Sequence, residues 1–65
     1  MDPEATLRLA QEMLDEGRIE DSREALDNYW SWRDRGGFAP ENGDERAKRI
    51  GSILRQHDMA DRAAD

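Results

Sequence analysis

The chain has 65 residues, a net charge of −6 from 16 acids and 10 bases, and only 15 large apolar side chains, counting Ile, Leu, Met, Phe, Trp and Tyr together. This is one small domain with a shallow core, and chains of this size bury roughly 60 % of the surface that their unfolded state exposes. Cys is absent and His57 is the lone histidine, which excludes disulfides and a zinc site built from Cys or His.

Mean hydropathy is −1.13. No apolar run approaches the ~20 residues that cross a bilayer, and Met1 to Ala10 lacks the basic-then-apolar order of a secretion signal, so a soluble, cytoplasmic chain without a membrane partner is expected. β-Structure is excluded on composition, because Val is absent, Thr occurs once and Ile three times, and nothing alternates with period two. The predicted fold class is all-α: an antiparallel helical hairpin with a third helix packed across it. It forms a single domain over 1–57, followed by a frayed acidic tail over 58–65.

Asp2-Pro3-Glu4 opens the first helix with an N-cap, a proline at the first helical position and an acid where the helix dipole favours one. Thr6, Leu7, Leu9, Ala10, Met13 and Leu14 then fall within an arc of about 160°, which predicts one buried face. Gly17 is placed to end the helix in the left-handed conformation, with Ile19 closing over the last turn. The second helix is expected to start at Asp21, with Glu24 completing a capping box, and to stop at Gly36-Gly37. Its apolar arc holds Ala25, Leu26, Tyr29, Trp30, Trp32 and Arg33, with Tyr29 near the centre and the tryptophans at opposite borders. Residues 36 to 43 form the longest break, and Phe38 within it is expected to plug one end of the helix pair. Asp44 reads as the N-cap of a third helix running to about His57, with Ala47, Ile50, Gly51 and Leu54 on one stripe. Gly51 costs roughly 1 kcal/mol against Ala in a helix interior, so close approach of another backbone is the expected reason for it.

Thr6-x2-Leu9-Ala10-x2-Met13, then Gly17, then Ser22-x3-Leu26, resembles the register of one tetratricopeptide repeat over Met1 to Asp34, about half the chain. Leu9 and Gly17 are of the consensus type; Tyr29 stands where the family prefers Ala. The resemblance implies a helix-pair interaction module. Such repeats stack in threes or more, so one copy does not make a solenoid.

Three groups of residues are candidates for binding. Trp30, Trp32, Arg33 and Arg35 interleave rings with guanidiniums, the residue types that dominate binding hot spots, although Tyr29 and a tryptophan also suit the core of so small a protein. Arg33 falls on the apolar face. It is expected either to reach solvent or helix-end carbonyls, or to be a fixed donor in a recess walled by Trp30 and Phe38. Ile53 lies off its helix stripe, at the core's edge or on a binding surface. Arg46, Lys48, Arg49 and Arg55 give the third helix a run from 46 to 57 with four bases and no acid, and they bracket the apolar stripe, Arg46 and Arg49 on one flank, Lys48 and Arg55 on the other. They suit ion pairs with Glu12, Asp15, Glu16 and Glu20, or a partner's acids; nucleic-acid contact is the alternative, disfavoured by the net charge. No Ser-His or Cys-based constellation points to catalysis, and the acids around residues 15 to 24 lack the EF-hand order, so no catalytic residue, cofactor or metal is expected. The function expected is protein binding or regulation, with self-association into a homodimer as one form of it.

Overall fold

The computed structural model describes the backbone of residues 2–64 and the side chains of residues 2–58. Its helices are α1 (Pro3–Asp15), α2 (Ile19–Asp34) and α3 (Gly43–Ala64), with no strand among the described residues. The all-α hairpin with a third packed helix is the observed architecture: α1 and α2 share the largest interface, and α3 touches both.

Local chemistry sets the hairpin. Asp2 caps α1, its carboxylate accepting from the Ala5 amide at 3.2 Å, and Pro3 occupies the first turn. At the other end Gly17 adopts φ +79, the Gly17 amide donates to the Leu14 carbonyl and the Arg18 amide to the Met13 carbonyl at 2.8 Å. This paired closure is the Schellman motif, and it needs a residue at ease with positive φ. The chain resumes helix at Ile19, ahead of the start expected at Asp21. Arg18 stands at the N-cap without a side-chain bond, and Asp21, inside the first turn, pairs with the Arg18 guanidinium at 2.6 Å. Gly17 completes the reversal by itself, so no capping box is required.

Small residues let α1 and α2 approach. Ser22 is fully buried and its hydroxyl donates to the Ala10 carbonyl at 2.8 Å, tying the helices where both side chains are short. Around this crossing the core comprises Leu7, Ala10, Leu14, Ala25, Leu26, Tyr29, Ala47, Ile50 and Leu54, with Ile19, Trp30, Trp32 and Ile53 half-buried against it. Leu9, expected on the buried face, is 45 % exposed. Two helices cover only part of the wide arc on α1, and Leu9 lies on the part left over.

Ala47, Ile50 and Leu54 dock α3 as its stripe predicts, but the close neighbour at Gly51 is a side chain and not a backbone: a Cβ there would lie 3.4 Å from Leu26 Cδ2. The helix also outlasts its expected end near His57 and continues through Ala64, in keeping with a stretch that holds alanines and neither Gly nor Pro. Of the tail foreseen over 58–65, the side chains after Asp58 and all of Asp65 lie outside the described residues.

Candidate functional site at the α2 and α3 groove

The end of α2 repeats the closure seen at the end of α1. Gly36 takes φ +99, its amide donates to the Arg33 carbonyl, and the Gly37 amide donates to the Trp32 carbonyl at 3.1 Å. The Trp32 indole lies over Gly37 so closely that a Cβ would collide with the ring. Asn42, at φ +58, completes the turn that brings the Gly43 amide to the Pro40 carbonyl at 2.8 Å.

Asp44 is the hub between the two helices. The Arg33 guanidinium grips its carboxylate with two donors, Nε at 2.9 Å and Nη2 at 2.7 Å, and the Tyr29 hydroxyl donates at 2.7 Å. Arg33 Nη1 also donates to the Gly37 carbonyl at 2.7 Å. The donors from Arg33 and Tyr29 hold the Asp44 carboxyl down to about 2, while burial, reinforced by the nearby carboxylate, pushes the Tyr29 phenol up to about 12. Asp44 is therefore a tertiary partner inside the first turn and not the N-cap that its sequence position suggests. Arg33 bonds the carbonyl of Gly37, in the loop beyond the end of α2, in place of the helix-end carbonyl expected of it, and its remaining donors go to Asp44.

Phe38 does not plug the helix pair. It is 89 % exposed, while Trp32 packs on the neighbouring Gly37 and Pro40 on Gly43.

The tryptophans sit at the two borders of the α2 face, both half-buried, with Tyr29 between them at ring-centroid distances of 5.2 Å from Trp30 and 6.1 Å from Trp32. Trp30 walls an open groove of about 330 Å³ between α2 and α3, whose other sides are Ala47, Lys48, Gly51, Ser52 and Arg55. Arg46 and Arg49 instead flank a smaller hollow of about 150 Å³ against α1, beside Leu7, Gln11 and Ile50. The bases thus bracket the stripe as their spacing implies.

Their ion pairs differ from expectation. Arg46 reaches Glu4 at 2.7 Å, which draws the Glu4 carboxyl below its ordinary value, and none of the α3 bases pairs with Glu12, Asp15, Glu16 or Glu20 among the described residues. Arg8, Arg18, Arg23 and Arg33 also have carboxylate partners, Arg23 that of Asp58 on α3. Lys48, Arg49, Arg55 and Arg35 are exposed and form no ion pair among the described residues. Ile53 is half-buried on the core. The structure accordingly brings Trp30 together with Lys48 and Arg55, and separates them from Trp32, Arg33 and Arg35 at the loop end. Gly51 and Ser52 were not foreseen as groove residues; the signal available was a small pair set between two bases seven residues apart.

No group of three or more acids or histidines is placed to hold a metal among the described residues, and none of their helices is long and apolar enough to cross a membrane. No protein-family model, curated protein or solved structure matches the chain.

Proposed function

We propose that this protein is a non-catalytic protein–protein interaction module that uses the α2–α3 groove to take an acidic segment of a partner. The observation that carries this reading is the pairing of an indole wall with two cations, Lys48 and Arg55, that form no ion pair among the described residues. Asp44, one turn before Lys48 on the same helix, is already engaged by Arg33 and Tyr29, and Asp58, three residues after Arg55, pairs with Arg23. Gly51 leaves the groove floor without a side chain, so an aliphatic or aromatic group can lie on Trp30 while a neighbouring carboxylate meets Lys48 or Arg55. Indole contact supplies affinity and the cations supply orientation and on-rate. The buried polar side chains support a non-catalytic role, because Ser22 and Tyr29 are spent on bonds that hold the helices together. The tetratricopeptide-like register of residues 1–34 supports the same class of role through the hairpin shape.

The test is titration with a labelled peptide of alternating Glu, Asp and Leu at low salt, followed by Trp fluorescence and amide chemical shifts. Shifts centred on Lys48, Gly51, Ser52 and Arg55, weakened by salt and abolished by joint Lys48→Glu and Arg55→Glu exchange, are expected. Failure of the peptide to bind at millimolar concentration overturns the reading. A matched oligonucleotide that binds with a steep salt dependence replaces it with nucleic-acid contact by Lys48, Arg49 and Arg55.

A further inference from the structure

The loop between α2 and α3 displays an aromatic ring that the fold does not use. Phe38 is 89 % exposed, yet its loop is braced at both ends: Gly37 lies under the Trp32 indole and its carbonyl accepts from Arg33, while Gly43 packs against Pro40 and the Tyr29 hydroxyl. A ring presented on a braced loop loses little conformational entropy when it docks. Asp34 and Glu41, both exposed, flank it in sequence. The groove of about 330 Å³ between α2 and α3 is walled by Trp30 and edged by Lys48 and Arg55. Ring and acids of this segment therefore complement indole and cations in the groove.

We propose that the protein pairs with itself: Phe38 of one copy seats on Trp30 in the groove of a second copy, with Asp34 and Glu41 meeting Lys48 and Arg55. A two-fold axis between loop and groove makes the contact twice and closes the assembly, as an isologous dimer requires. The inference rests on the reading of the groove as a docking surface and adds a regulatory consequence. The dimer occludes the groove, so a partner's acidic segment competes with the second copy. A domain with so few large apolar side chains also gains apparent stability from association, in a concentration-dependent way.

Sedimentation velocity from about 10 µM to about 1 mM tests it, a range that spans weak association. A shift from 7.5 kDa toward twice that mass is expected for the native chain. Phe38→Asp should stay monomeric at every concentration while keeping its dilute-solution melting temperature. Joint Lys48→Glu and Arg55→Glu should also be monomeric alone, and should form a heterodimer when mixed with joint Asp34→Lys and Glu41→Lys. A native chain that remains at 7.5 kDa at the top of the range overturns the proposal, as does a dimer that survives Phe38→Asp or a charge-exchanged pair that fails to associate. The Glu/Asp/Leu peptide separates this failure from that of the groove reading. Peptide binding by a chain that never dimerises removes self-pairing alone; dimerisation without peptide binding removes the acidic-segment reading alone.

Discussion

The two interhelical connections close their preceding helices in the same way and then diverge. After Gly17 the chain needs only Arg18 before α2 begins, and the return is fixed by backbone bonds and by Ser22 against Ala10. After Gly36 it travels to Gly43, and α3 is set by side chains that meet from distant positions: Arg33 and Tyr29 on Asp44, and Arg46 on Glu4. One connection is a local device and the other a tertiary one. The local device turns the chain with no bond from α3, whereas the position of α3, and with it the groove, is set by its apolar stripe on the core together with the Asp44 cluster.

The largest break in this contrast is expected at Tyr29, which is wholly buried and joins the core to the cluster. Tyr29→Ala should cost about 3–5 kcal/mol, the range for removing a buried aromatic. Tyr29→Phe keeps the ring and leaves Asp44 one donor short, a loss of about 1.5–3 kcal/mol for a bond to a charged group. Denaturant melts of both variants measure these values. Chemical shifts should place the Tyr29→Phe disturbance in residues 40–48 and leave Gly17 and Ser22 unmoved.

The same cluster contributes to the stability at both ends of the pH range. The Asp44 carboxyl is depressed to about 2 in the folded chain, so its contribution is fully present above the ordinary carboxylate value near 4 and is lost as pH falls toward 2. The Tyr29 phenol is raised to about 12; its contribution is present below the ordinary value near 10 and is lost as pH rises from there to 12. Melting temperature against pH should therefore fall at both ends, and Asp44→Asn should flatten the acid limb below pH 4. An unchanged acid limb in that variant would place the acid sensitivity elsewhere.

Smaller effects separate the turns. Gly17→Ala meets open space, so its cost is that of a left-handed backbone alone, about 1–2 kcal/mol. Gly37→Ala should cost more although its φ is ordinary, because the new methyl group displaces the Trp32 indole. Equal losses at the two positions would show that the indole is not seated on Gly37.

The sequence carried the local device almost completely. Asp2-Pro3, the left-handed Gly17, the central Tyr29 with bordering tryptophans and the Ala47–Ile50–Leu54 stripe all follow from propensity and period, which act over a turn or two of helix. The tertiary device was hidden, since Arg33 and Asp44 are eleven residues apart across an irregular loop and no periodic rule pairs them. Asp44 carries the sequence mark of an N-cap, and only the arrival of Arg33 and Tyr29 gives its carboxylate another use. Phe38 misled for a related reason: hydrophobicity argued for burial, but Trp32 and Pro40 had already filled the space beside Gly37 and Gly43. The groove was half legible. Helical period puts Lys48 and Arg55 on one flank, while Trp30 joins them only where α3 lies against α2.

Gly51 tests how far the groove itself, and not the fold, explains a residue. In a helix interior Ala is favoured over Gly by about 1 kcal/mol, and a Cβ at this position would lie 3.4 Å from Leu26 Cδ2, an ordinary contact. Packing therefore gives no reason for the glycine, and Gly51→Ala should raise stability by up to about 1 kcal/mol, read as a higher denaturation midpoint with an unchanged slope. Gly51 lines the groove that Trp30 walls, so the methyl group is added to its lining. The same variant should then bind the Glu/Asp/Leu peptide less tightly than the native chain, so that stability and binding move in opposite directions. A variant that is both more stable and an equal binder would mean that the ligand does not reach the floor, and the docking site would shift outward to Lys48 and Arg55.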